Sequence, residues 1–282
     1  MPRDAPLRLT ATLLPGAEDL LVSHARELPQ RDELCGAFCG ALALGAAGVR
    51  GPDGESLDQD AVALAAGSVI SERPAAHTLP QGEAGRRDYR LRLPTVADPA
   101  VSGTTAAGLV RALEELGGGR VAAIPLAGPW RGETLSGLFA LACAASGPVA
   151  LLANIATRHL WGARAHPDQL LSYLLAGEPV IAGGPPADWD VGHFVCIVGQ
   201  VAGPGGELYL IADTYPALGH GGVHLQPREL LALALERPEM AAGGIVALVA
   251  SADAETFRDG AEELGLALES WDNGSVAAES PA

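Results

Sequence analysis

A cysteine lies at the point where a polar segment gives way to an apolar run rich in alanine and leucine. Cys35 follows Gln30-Arg31-Asp32-Glu33-Leu34, and the run continues to Gly48. Its length, alanine content and lack of β-branched residues predict a buried helix over 34–48. At the first turn of a helix, unpaired backbone N–H groups and the helix dipole stabilise a thiolate, which makes Cys35 a candidate nucleophile. Cys39, one turn deeper, is predicted to be core. The alternative for Cys35 is a small hydrophobic residue in the same core.

A histidine and an aspartate stand at the ends of two apolar, strand-like runs further along the chain. His193 opens the run Gly192–Val201, and Asp213 closes the run Glu207–Asp213, twenty residues after His193. If the runs pair as an antiparallel hairpin, Asp213 returns to the level of His193, where a carboxylate could fix the tautomer of a general base. The alternatives are a half-buried histidine at a sheet edge and an aspartate that caps the turn Thr214-Tyr215-Pro216.

The order of helix-start cysteine, strand-start histidine and strand-end aspartate is that of papain-like thiol enzymes. The segments Leu34-Cys35-Gly36-Ala37, Gly192-His193-Phe194-Val195 and Ile211-Ala212-Asp213 resemble C39-type cysteine peptidases of that superfamily. Those enzymes process leader peptides at double-glycine sites when fused to transporters. The resemblance implies that Cys35 is the nucleophile, His193 its base and Asp213 the orienting acid. It also implies that Gln30 donates to the oxyanion beside the Cys35 backbone N–H.

Two spacings differ from the C39-type pattern. Gln30 precedes Cys35 by five residues where the pattern usually has six, and His193 lies much further from Cys35 than in those peptidases. The longer separation predicts a large insertion or helical lobe over residues 55–155. We expect a single papain-like domain over residues 1–272, followed by a frayed tail over residues 273–282.

The order of the predicted elements indicates an α+β fold. Helices dominate the first part of the chain, and β-branched runs separated by Gly and Pro turns follow it. These runs, which include Pro179–Ala182 and Gly244–Ala250, predict a mostly antiparallel C-terminal sheet. Together with the resemblance, they predict a papain-like arrangement in which the N-terminal nucleophile helix packs on that sheet.

The composition argues against several classes of partner. The 282 residues include 18 Lys and Arg, all of them arginine, against 34 Asp and Glu, for a net charge of −16. So acidic a surface repels phosphate backbones and anionic lipid, and we therefore expect neither nucleic acid nor a membrane as a partner.

Three features of the sequence bear on the compartment, and together they predict a cytoplasmic protein. Four cysteines are too few and too scattered for a disulfide framework, and the N-terminus has no apolar stretch typical of a secretory signal. The uncharged run Leu135–Thr157 is broken by Ser146-Gly147-Pro148. The break favours a helix, a turn and a strand over a membrane span.

The sequence predicts neither a cofactor nor a metal site. Cys35 and Cys39 lack a second Cys or His pair at zinc spacing, and His220 and His224 are expected to decorate a Gly-rich turn. The leading hypothesis is thiol-dependent cleavage or transfer at an amide or thioester of a peptide or protein substrate. One alternative is a catalytically inactive papain-like scaffold that binds a peptide or partner protein, for instance in peptide natural-product maturation. The other is a non-catalytic α+β domain.

Overall fold

The computed structural model describes residues 9–73, 79–160, 165–178 and 189–278. These residues form nine strands: β1 (Thr10–Leu13), β2 (Ile70–Ser71), β3 (Thr95–Val96), β4 (Val121–Ala127), β5 (Ala150–Ala156), β6 (Gly192–Ala202), β7 (Glu207–Ala212), β8 (Val223–Pro227) and β9 (Gly244–Ala250). The same residues form eight helices: α1 (Ala17–Glu27), α2 (Cys35–Ala46), α3 (Gln59–Ala66), α4 (Ala106–Gly117), α5 (Gly132–Cys143), α6 (Pro167–Ala176), α7 (Arg228–Glu236) and α8 (Ala254–Glu263).

Seven strands form one antiparallel sheet in the order β4-β9-β5-β6-β7-β8, with β1 paired to the end of β6 beyond β5. β2 and β3 form a separate parallel pair. The longest strand, β6, is paired along both edges, with β5 and β1 on one side and β7 on the other. The fold is therefore a mixture of helices and antiparallel sheet.

The hairpin of β6 and β7 confirms the antiparallel pairing that the two apolar runs predict. Cys196 of β6 lies opposite Ala212 of β7. Asp213 is the next residue after the last paired position of β7, and it therefore comes close to the end of β6 that carries His193.

Helix α2 confirms the buried helix predicted around Cys35. Ten of its twelve residues are buried, and it contacts three helices (α1, α3 and α4) as well as β5 and β6. Gly36 and Gly40 permit this close packing. A Cβ on Gly36 would lie 3.0 Å from Thr104 Cβ and 3.1 Å from a ring carbon of Phe194, and one on Gly40 would lie 2.9 Å from Val62 Cγ1. The first turn of α2 thus packs against Phe194, the neighbour of His193.

The sheet takes strands from the whole chain and not from its C-terminal part alone, which corrects the expected layout. β1, β4 and β5 all precede residue 157, and β9 inserts between β4 and β5. Residues 55–155, the predicted insertion or lobe, therefore supply two strands of the main sheet. β5 is buried at all seven positions because β6 and β9 flank it and α2 and α7 pack against it.

Part of the predicted frayed tail is attached to the rest of the chain. Asn273 Nδ2 donates to the Thr104 carbonyl at 3.0 Å, and the Val276 N–H donates to the Val101 carbonyl at 2.9 Å. These hydrogen bonds hold residues 273–278 in place although their side chains are mostly small and polar.

Two further expectations concern a strand and a membrane span. The strand predicted over Pro179–Ala182 lies outside the described residues. Across the ranges that the structure describes, no helix has both the length and the hydrophobicity needed to cross a bilayer.

Candidate active site

Cys35 is the first residue of α2, and its thiol faces the start of β6. The His193 ring and the backbone N–H groups of Phe194 and Gly36 all lower the pKa of this thiol. Burial raises the pKa of the thiol, but the hydrogen bond and charge of His193 and the two backbone donors outweigh burial. The pKa of Cys35 therefore lies below that of an ordinary cysteine, so the environment favours the thiolate.

The His193 ring is buried and contacts two aromatic side chains, which also contact each other. Its centroid is 5.7 Å from that of Tyr215, which stacks on it, and 5.4 Å from that of Trp189, which meets it edge-on. Nε2 lies 3.1 Å from Asp213 Oδ1 and 3.3 Å from Thr214 Oγ1, and so Nδ1 is the ring nitrogen left for the Cys35 thiol. Burial lowers the pKa of His193, yet the Asp213 carboxylate and Cys35 raise it to about 10.

Asp213 is completely buried and binds more than one partner through its carboxylate. Oδ1 accepts from the backbone N–H of Thr214 at 2.7 Å as well as contacting His193. Both predicted alternatives for this aspartate, contact with the histidine and capping of the turn, therefore occur together. Burial raises the pKa of Asp213, but the two histidines at its oxygens, His193 and His224, hold it well below the ordinary value.

His224 does not decorate the Gly-rich turn that its sequence context predicts, because it lies on a strand and contacts the other carboxylate oxygen of Asp213. His224 lies on β8 opposite Ile211, and its Nε2 is 3.1 Å from Asp213 Oδ2. Its Nδ1 is 2.9 Å from Gln226 Nε2. His224 and Gln226 lie two residues apart on one face of β8, a period-two pattern that the sequence itself carries.

Gln30 also lies at this site, as the resemblance implies. It is buried, and it lines the same cleft as Cys35. Its Nε2 donates to the Tyr215 hydroxyl at 2.9 Å, and its backbone N–H donates to the Thr214 carbonyl at 3.1 Å. The turn that follows Asp213 thus holds Gln30 near the helix that begins at Cys35.

Cys39 differs from Cys35 in its surroundings. It is fully buried, as its place one turn into α2 predicts. Burial and the neighbouring Cys196 raise the pKa of the Cys39 thiol well above its ordinary value. Cys39 therefore stays protonated where Cys35 favours the thiolate.

A cleft of about 360 Å³ lies beside Cys35. Gln30, Cys35 and His193 line it together with segments from the loop 99–104 and from residues 273–275. Asn154 and Arg237 line it too, and neither was singled out from the sequence, because neither belongs to a local pattern. Among the residues that the structure describes, no three His, Cys, Asp or Glu side chains are grouped so as to hold a metal ion.

Comparison with known proteins identifies the family. A family model matches residues 14–272. The chain belongs to DUF6885, a family of unknown function. No curated protein matches this DUF6885 chain. A crystal structure titled as that of a putative C39-like peptidase from Bacillus anthracis shares 13% identity with it at a TM-score of 0.42, over 84% of the DUF6885 chain and 97% of the other. A similarity at this level assigns no role to individual residues.

Proposed function

We propose that this protein is a thiol-dependent peptidase or acyl-transfer enzyme that acts on a peptide through Cys35. The proposal is carried by one arrangement: Cys35 and His193 line the same cleft, His193 lowers the pKa of the Cys35 thiol, and His193 Nε2 lies 3.1 Å from Asp213 Oδ1. Shifted pKa values of paired groups in a cleft are typical of active sites. A lowered thiol pKa beside a raised imidazole pKa favours a thiolate–imidazolium pair near neutral pH.

In the proposed reaction the Cys35 thiolate attacks the acyl carbon of an amide or thioester, and a bond forms between Sγ and that carbon. His193 donates its proton to the leaving nitrogen or sulfur as the old bond breaks. The acyl group stays on Cys35 until water or an amine, deprotonated by His193, displaces the thiolate. Asp213 serves as a positioning residue, since it holds the His193 ring and stabilises its charged form.

The oxyanion of the tetrahedral intermediate requires hydrogen-bond donors. We assign this role to the backbone N–H of Cys35 and to the side-chain amide of Gln30. Gln30 Oε1 is buried and has no hydrogen-bond partner within the described residues, while Nε2 contacts Tyr215. A half-turn of the amide would let the Tyr215 hydroxyl donate to Oε1 and would bring Nε2 to the position that Oε1 occupies now.

The proposed chemistry needs Cys35 as a reduced thiol. All four cysteines are free, which supports a reducing compartment such as the cytoplasm.

The test is alkylation of the native protein by iodoacetamide, followed by peptide mapping in a mass spectrometer. Cys143 is a reference within the same molecule, because it is half-buried and burial raises its pKa. We expect Cys35 to be alkylated faster than Cys143, most clearly at about pH 6, where an ordinary thiol is almost fully protonated. Cys39→Ser should label like the wild type.

Alkylation reports only the reactivity of the thiol, so a second measurement is needed to detect cleavage or acyl transfer. Incubation with a mixed peptide pool should give new peptide termini or a mass increase on Cys35, and Cys35→Ser should give neither. Fast alkylation of Cys35 without either product would favour the inactive binding scaffold. Alkylation of Cys35 no faster than that of Cys143 would contradict the proposed function.

A further inference from the structure

Arg237 is a buried guanidinium without a carboxylate partner. It follows α7 and is 3% exposed. Nη1 donates to Asn154 Oδ1 and, at 3.3 Å, to the Ala242 carbonyl. Nε has no hydrogen-bond partner within the described residues, and no Asp or Glu there forms an ion pair with Arg237. Burial of a charge without a paired carboxylate is unfavourable. The Cys35 thiolate acts on this charge and raises the pKa of Arg237 against the effect of burial, and a substrate anion would stabilise the guanidinium further.

The guanidinium lies at the wall of the cleft that contains Cys35 and His193. A Cβ on Gly192 would come within 2.6 Å of Arg237 Nη2, which shows that Nη2 rests on the backbone next to His193. Gly192 directly precedes His193 in the chain, and both residues line the cleft with Arg237. A side chain at this position would have to displace the guanidinium.

The two carboxylates that line the same cleft already have partners. Glu33 accepts hydrogen bonds from the backbone N–H and the hydroxyl of Ser71, and Asp190 binds Arg158 at the rim. Neither pairs with Arg237. Arg237 ends α7 with a left-handed backbone, φ being +48°, which is a common way for a helix to end.

We propose that Arg237 binds a carboxylate of the substrate. The inference rests on the proposed function, and it defines the substrate class as a peptide that presents a carboxylate close to the scissile carbonyl. A guanidinium donates charge-assisted hydrogen bonds to carboxylates, and Nη2 lies beside Gly192 at the wall of the cleft, where it can donate to one. A carboxylate bound there would neutralise the buried charge and fix the acyl carbon relative to Cys35.

The test uses two alkylating agents that differ mainly in charge. Iodoacetate carries a carboxylate where iodoacetamide carries a neutral amide. In both reactions the Cys35 sulfur forms a bond to the methylene carbon and iodide leaves. The quantity compared is the iodoacetate rate divided by the iodoacetamide rate. A change in the thiolate fraction affects both rates equally, so it does not alter this ratio. We expect this ratio to be about tenfold higher at Cys35 than at Cys143, the size of effect that one charged hydrogen-bonded pair gives.

Arg237→Met should lower the ratio at Cys35 about tenfold. The control is Arg228→Met at the start of the same helix, because it removes the same charge from a residue paired with Glu207 and Glu229. This control should keep the wild-type ratio.

A ratio unchanged by Arg237→Met would overturn the carboxylate site while leaving the proposed function intact. Slow alkylation of Cys35 by both reagents would instead overturn the proposed function. If Arg237→Met does not fold, the carboxylate site is tested on the wild type by competition between acetate and iodoacetate. Acetate should slow the iodoacetate reaction at Cys35 more than chloride at the same concentration, and equal effects of the two salts would overturn the proposal.

Discussion

His224 Nε2 lies 3.1 Å from Asp213 Oδ2, at the oxygen that His193 does not contact. Asp213 is thus held between two imidazoles, and His224 is held in turn by Gln226. A carboxylate bound through both oxygens in a buried site has little freedom to rotate. We infer that β8, through His224, fixes the orientation of Asp213 toward His193.

Replacement of His224 by Asn should reduce the rate at which iodoacetamide labels Cys35 near neutral pH. The loss of a buried hydrogen bond to a charged group, worth about 1.5–3 kcal/mol, should also lower the melting temperature. The labelling rate and thermal unfolding are measured on the same preparation. His220→Asn is the matched control, because His220 is exposed in the preceding turn. A folded His224→Asn variant that labels at the wild-type rate would show that His224 is not needed for the site.

Asp213→Asn should shift the lower-pH limb of the Cys35 labelling profile toward higher pH. The amide can accept a hydrogen bond from the His193 ring, but it stabilises the imidazolium less than a carboxylate does. A less stable imidazolium lowers the thiolate fraction of Cys35 near neutral pH. Labelling rate is recorded against pH for both proteins, with circular dichroism as the check on folding. Superimposable profiles would remove Asp213 from the site.

The same variant should change how stability depends on pH. The pKa of Asp213 is lowered in the folded state, so its contribution is present above the unfolded-state pKa of about 3.9 and is lost as the pH falls. The pKa of His193 is raised to about 10, so its contribution is present below its unfolded-state pKa of about 6.5 and is lost as the pH rises toward 10. In urea unfolding, the stability difference between wild type and Asp213→Asn should therefore shrink at acidic pH and at alkaline pH. A constant difference across the range would contradict this linkage.

Gln30→Ala should separate oxyanion stabilisation from thiol activation. Alkylation by iodoacetamide forms no oxyanion, so Cys35 should still label at close to the wild-type rate. Acylation by p-nitrophenyl acetate passes through a tetrahedral oxyanion, and the burst of p-nitrophenolate should slow about 100-fold, the usual effect of one lost donor. Equal loss in both reactions would indicate that Gln30 supports the local structure instead.

Two glycines of α2 provide a test of its packing. Gly40→Ala should destabilise the protein by about 1–3 kcal/mol, because the new Cβ would lie 2.9 Å from Val62 Cγ1 in a filled core. Gly45→Ala in the same helix is the control, since its Cβ would meet the hydroxyl of Ser23, which can rotate. Alanine at position 45 should leave the free energy of unfolding unchanged or raise it by up to about 1 kcal/mol, because alanine has the higher helix propensity. The free energy of unfolding in urea is measured for both variants. Equal effects of the two substitutions would contradict the tight packing of Gly40 against Val62.

The sequence by itself determined the local features of this protein. The polar-to-apolar boundary at Cys35 specified where α2 begins, and the two apolar runs with their turns specified the hairpin that brings Asp213 near His193. The resemblance added Gln30. These features were predictable because helix starts, strand alternation and short hairpins depend on residues close together in the chain.

Only the tertiary structure decided which distant segments meet. It inserted β9 between β4 and β5, placed His224 behind Asp213, and directed Arg237 into the cleft. In the sequence, Arg237 looks like an ordinary cation at the end of a helix. Such contacts depend on strand register and on side-chain packing between residues far apart in the chain. A periodic pattern within one segment shows which face is buried, but it does not show which other segment will bury it.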